Sequence, residues 1–122
     1  LEHRFTALAR DRPSALIMTA DNLHHRYIDR IVAFASDNRL PAMYQLREAV
    51  ERGGLMCYGA NLRELARSTA THVDKILRDA RPAELPIEQP TKFELVINLK
   101  TAEALGLTIP PSLLARADQV IE

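Results

Sequence analysis

Ala15-Leu16-Ile17-Met18-Thr19 is a short, continuously apolar run set between Arg12-Pro13 and the polar pair Asp21-Asn22. A run this short with no polar interruption reads as a strand. Upstream of it, Leu1, Phe5, Leu8 and Ala9 fall at helical spacing, and Pro13 closes that helix by disfavouring the α region at Arg12. Downstream, Asp21 or Asn22 can cap a second helix whose inner face is Ile28, Ile31, Val32 and Ala35 and which stops near Asn38. The alternation then repeats. Pro41 precedes a strand at Ala42-Met43-Tyr44, a short helix carrying Leu46 and Val50 ends at Gly53-Gly54, and Leu55-Met56-Cys57-Tyr58 is a third strand with a turn at Gly59.

Beyond Gly59, Leu62, Leu65, Ala66, Thr69, Val73, Ile76 and Leu77 keep a three-and-four spacing for more than four turns, with charged residues opposite. Asn61 and Glu64 stand as a capping box with Asn in place of Ser or Thr. Pro82, Pro86 and Pro90 make residues 80–92 an extended connector. A fourth strand follows, then short helices closed by Gly106 and opened by Pro110-Pro111, and a terminal strand within Asp118–Glu122. Helix and strand in strict alternation predict an α/β fold, a three-layer sandwich with a mostly parallel sheet. Its core strands are expected at 15–19, 42–45, 55–58 and 93–98. The reading is one domain over 1–122: a core in 1–60, a long helix in 61–79, the connector in 80–92 and a C-terminal strand with helices in 93–122.

Composition narrows the function. The chain has 122 residues, and its 16 Lys plus Arg balance 16 Asp plus Glu in scattered positions, so no field exists to gather phosphates. With no Trp, three Tyr and three Phe, a base-stacking surface is also lacking, and nucleic acid is not an expected partner. No apolar run reaches the length of a membrane span. Cys57 is the single cysteine, so no internal disulfide can form. The chain opens on Leu1 and a charged helical stretch rather than an export signal, and an upstream segment is expected.

The residues from the third strand onward resemble a known family. Gly53-Gly54-Leu55-Met56, Tyr58-Gly59, Leu85-Pro86 and the contiguous run from Pro90 to Ala102 are similar to the ABC-transporter substrate-binding proteins of the tryptophan/tyrosine type. The likeness continues through Ala104 to Pro111 and Leu113 to Asp118, covering nearly the whole chain. It implies the C-terminal lobe of a two-lobed type I periplasmic binding protein, with the first lobe and the first strand of the second lobe missing. It further implies capture of a small organic solute in the periplasm, delivery to an ABC permease, no catalysis and no cofactor.

In open α/β sheets a ligand lies beyond the carboxyl ends of the strands. The loop residues there are Thr19, Asp21 and Asn22, then Tyr44, Gln45 and Arg47, then Tyr58 and Asn61. For a zwitterionic solute, Asp21 suits an ammonium group, Arg47 a carboxylate, and Tyr44 or Tyr58 an amphipathic wall. Asp21 can equally serve only as a helix cap, and Arg47 only as an ion-pair partner of Glu48 or Glu51. The expected ligand-binding set is Asp21, Tyr44, Arg47, Tyr58 and Asn61. His24-His25 and His72 have no metal-ligand spacing, and Cys57 lies in a strand expected to be buried, so no metal site is expected. There is no Gly-x-Ser-x-Gly elbow, phosphate loop or dinucleotide fingerprint.

Two other functions fit the same fold: the effector-sensing domain of a regulator and a small α/β enzyme. The apolar stripe of the long helix is too extensive to leave wet, since a few hundred Å² at about 25 cal/mol per Å² amounts to several kcal/mol. This predicts a two-fold homo-dimer in which that helix or the connector is shared.

Overall fold

The computed structural model describes residues 2–122. The chain divides into two compact units, one made of the segment ending at Gly59 with Glu94–Glu122, the other of Ala60–Phe93. The long helix and the connector fall in the second unit. Leu1, counted above on the inner face of the first helix, lies outside the described residues.

Helix α1 (Glu2–Asp11) leads into strand β1 (Leu16–Met18). Helices α2 (Asn22–Arg26) and α3 (Ile28–Asp37) follow, then β2 (Ala42–Tyr44), α4 (Arg47–Glu51) and β3 (Met56–Ala60). The long helix α5 (Leu62–Leu77) comes next, followed by β4 (Phe93–Asn98), α6 (Leu99–Ala104), α7 (Pro111–Leu114) and β5 (Gln119–Ile121). The sheet order is β1-β2-β3-β4-β5. The pairs β1·β2, β2·β3 and β4·β5 are parallel, with Ile17 opposite Met43, Tyr44 opposite Cys57 and Ile97 opposite Val120. Asn98 N donates to Leu55 O and Asn61 N to Lys92 O, so β3 and β4 run in opposite directions. The chain therefore leaves the sheet along β3 and returns along β4.

Side chains alternate across a strand, and β4 feeds two cores. Val96 is fully buried in the larger cluster with Met18, Tyr44, Val50 and Cys57, against Ile31, Val32 and Ala35 of α3. Ile97, also fully buried, joins Leu55, Leu95, Ala102 and Ile109 in the second cluster, on which Leu99, Leu113 and Leu114 close. Helices thus cover both faces. Burying one such side chain contributes about 1.5–3 kcal/mol, so the central strands anchor the unit. Phe5 of α1 stacks on Phe34 of α3 with ring centroids 4.6 Å apart.

Two expectations change here. The helix read as continuous from Asp21 to Asn38 breaks at Tyr27 (φ −112°, ψ 22°). Beyond the break, α3 buries four apolar residues, whereas α2 buries none and is held by its Asp21 cap and by His24. Gly59, read as a turn, is a strand residue. A Cβ there would lie 2.1 Å from the Gln45 carbonyl oxygen, so glycine is required by close approach of backbone, not by chain reversal.

The contiguous C-terminal run earns its residues structurally. Asn98 is buried and bonded through both side-chain polar atoms: Oδ1 accepts from Thr101 N (3.1 Å) as the cap of α6, and Nδ2 donates to Val50 O (3.3 Å). Thr101 Oγ1 donates to Gly53 O (2.9 Å), tying α6 to the turn before β3.

In the second unit, α5 (Leu62–Leu77) begins at Asn61, whose Oδ1 accepts from Arg63 N (3.0 Å) and Glu64 N (3.1 Å). After a 3-10 turn at Pro82–Glu84 the connector runs back along the helix. His72 reaches Pro86 O, Ser68 bonds Glu88, and Asn61 N meets Lys92 O, in that descending order along α5. No residue of α5 is buried. Its apolar stripe is open, with Leu62 48%, Val73 49% and Leu77 79% exposed.

Candidate functional site

Because β1, β2 and β3 are parallel neighbours, the residues that follow them gather at one edge of the sheet. Gln45 sits among them. Ala20 N donates to Gln45 Oε1 (2.5 Å), and the Gln45 carbonyl lies against the Gly59 backbone. The loop after β1 has its own bonds. Asp21 Oδ1 accepts from Leu23 N (2.7 Å), and the Thr19 carbonyl accepts from His24 Nδ1 (2.7 Å).

Arg47 stands in the first turn of α4 at this edge. Its Nε donates to Glu51 Oε1 (2.8 Å), its Nη1 to Glu94 Oε2 (3.4 Å), and its Nη2 to Gln119 Oε1. Glu94 and Gln119 reach it because β4 opposes β3 and β5 parallels β4, which brings both strand starts to the edge where β1–β3 end. The bond to Glu51, chiefly, holds the guanidinium above its ordinary pKa. Arg47 is thus neutralised by its own chain, through Glu51 as the sequence allowed and through Glu94, for which no sequence signal exists.

The other expected residues part company. Asp21 is an exposed helix cap, its charge at the edge. Tyr58 is 54% exposed on β3. Asn61 caps α5 in the second unit. Tyr44 is a correction: only 1% exposed, it belongs to the larger core rather than to a solute-facing wall. Its hydroxyl makes no hydrogen bond among the described residues, and burial pushes its pKa up to about 12. The strand has three residues, and Ala42 and Tyr44 share the face that α3 covers. Burial likewise raises the Cys57 thiol to about 11, far from the thiolate that chemistry would need. Among the described residues, no cluster of three or more His, Cys, Asp or Glu could hold a metal ion, and no helix is long and apolar enough to cross a membrane.

The sequence matches the family described as ABC transporter substrate binding protein over residues 1–121. The chain belongs to that family. Among solved structures, a conserved domain protein from Vibrio cholerae is 28% identical with a TM-score of 0.89, the match covering 98% of this chain and 40% of that one. An ABC domain in complex with L-Trp from Streptococcus pneumoniae is 27% identical with a TM-score of 0.88, covering 98% of this chain and 41% of that one. A ligand-free, open substrate-binding protein with adhesive properties from Clostridium difficile shares the fold at 23% identity and a TM-score of 0.66, covering 98% and 39%. This member of the family therefore spans about two-fifths of the length of the solved structures it matches. No curated protein matches it.

Proposed function

We propose that the chain works as part of the solute-binding protein of an ABC transporter, outside the cytoplasmic membrane, and that the edge formed by the ends of β1–β3 faces the solute. The family match across 1–121 carries this reading, and the likeness to a domain that holds L-Trp directs it toward amino acids and similar small solutes. Asp21 supplies the negative charge for an amino group, and Tyr58 the half-exposed aromatic surface. Arg47, bonded to Glu51, Glu94 and Gln119, holds the edge together. Asn61 fixes the start of α5, and Tyr44 supports the edge from the core. The protein hands its solute unchanged to a permease. Calorimetric titration of the full-length protein with the twenty amino acids, one at a time, tests the reading. Binding of at least one at micromolar Kd or tighter, about −8 kcal/mol, is expected; no heat from any, or conversion of the solute, refutes it.

For the 122-residue chain alone we propose a two-fold dimer through α5. Its exposed Leu62, Leu65, Val73, Ile76 and Leu77 form one apolar stripe, and a second copy of the same helix matches it. Sedimentation at micromolar concentration distinguishes a dimer from the monomer that would contradict it.

A further inference from the structure

Gln45 is held at three strand ends at once. It is the first residue beyond β2, its side-chain oxygen accepts from Ala20 N at the end of β1, and its carbonyl touches Gly59 near the end of β3. The ladder holds β1 to β2 as far as Met18 opposite Tyr44, and beyond it the bonds to Leu23 and His24 stay within the β1–α2 segment. The backbone contact at Gly59 fixes Gln45 from the far side, since even one carbon added at residue 59 would overlap the Gln45 carbonyl.

We infer that Gln45 is a positioning residue of the binding edge: its amide oxygen sets where the Ala20–Asp21 backbone lies relative to β2 and β3. Asp21 follows Ala20 directly, so the placement of its carboxylate depends on that bond. A misplacement of a charged group by a fraction of an ångström to an ångström weakens a specific contact without unfolding anything. The chemistry required at position 45 is an acceptor at glutamine's reach; a donor serves no purpose toward Ala20 N–H.

This rests on the proposed function for its effect on binding, while the backbone placement stands apart from it. The test uses the full-length protein in three forms, wild type, Gln45→Met and Gln45→Glu. Methionine keeps the length and loses the strong acceptor; glutamate keeps the acceptor. Affinity is measured by titration with L-tryptophan, and exchange of the Ala20 amide hydrogen is followed by NMR without ligand. Gln45→Met is expected to weaken L-tryptophan binding about tenfold with the thermal midpoint within about 2 °C of wild type. Gln45→Glu is expected to stay within about threefold of wild type. Ala20 exchange is expected to accelerate in the methionine variant and not in the glutamate one. Unchanged Ala20 exchange in Gln45→Met, wild-type affinity in that variant, or equal loss in both variants overturns the inference. If wild type binds no L-tryptophan, the choice of solute has failed instead, and the Ala20 exchange comparison alone decides the role of Gln45.

Discussion

Tyr44 shows what a residue's chemistry leaves open when its register is unknown. In a strand of three residues, either Met43 or Tyr44 could face α3, and no alternation long enough to choose between them is present in Ala42-Met43-Tyr44. The structure turns the phenol inward and leaves its hydroxyl without a partner among the described residues, a burden of about 1–3 kcal/mol for a buried polar group. Tyr44→Phe is therefore expected to raise stability by about 1 kcal/mol in urea denaturation, and a loss of stability would show that the hydroxyl is bonded in solution. Arg47 was legible as an ion-pair residue through Glu51, four positions on, but Glu94 and Gln119 are 47 and 72 residues away and only topology brings them in. Arg47→Ala is expected to cost about 1–2 kcal/mol of stability and no more than about tenfold in affinity. A hundredfold loss of affinity at unchanged stability would put its guanidinium on the solute instead.

Elements were easier to foresee where their pattern was long. The cap at Asn61, the helix that follows it and the strand at 93–98 were all readable, because the helix keeps its spacing over 16 residues and the strand is a six-residue run with an apolar centre. The break at Tyr27 was not, since the residues around it are compatible with a continuous helix. The connector's path along α5 was equally hidden: it depends on side chains meeting across 14 and 20 residues. His72 stands 3.0 Å from Ser68 O and 3.3 Å from Pro86 O through its two ring nitrogens, and both contacts are donated only by the imidazolium. These bonds, the one to Ser68 first, raise its pKa above 6.5, with Glu88 adding to the rise and Lys75 opposing it. The bond from Ser68 lowers Glu88 below 4.5. A raised histidine stabilises fully below 6.5 and loses its effect as pH climbs through its folded pKa; a lowered glutamate stabilises fully above 4.5 and loses its effect as pH falls through its own. Intrinsic-rate-corrected amide exchange at Ile87–Gln89 is thus expected to be slowest between these two values and to rise on both sides. His72→Gln should flatten the upper limb only. A flat profile in the wild type would mean that the connector is not held by these groups.

At the scale of the whole molecule, the alternation of helix and strand specified the α/β class, and the contiguous C-terminal run, in which Asn98 and Thr101 tie α6 to Val50 and Gly53, pointed to the family. What the sequence could not supply is which strand ends become neighbours, and that ordering turns Thr19, Gln45 and Gly59 into parts of one edge. The central claim, that this edge faces a small solute, is most directly tested by hydrogen–deuterium exchange of the full-length protein with and without a saturating amino acid found by calorimetry. The account predicts slowed exchange concentrated at Thr19–Asn22, Gln45–Arg47 and Tyr58–Gly59. Protection confined to α6, α7 and β5, with those three loops unchanged, would contradict it.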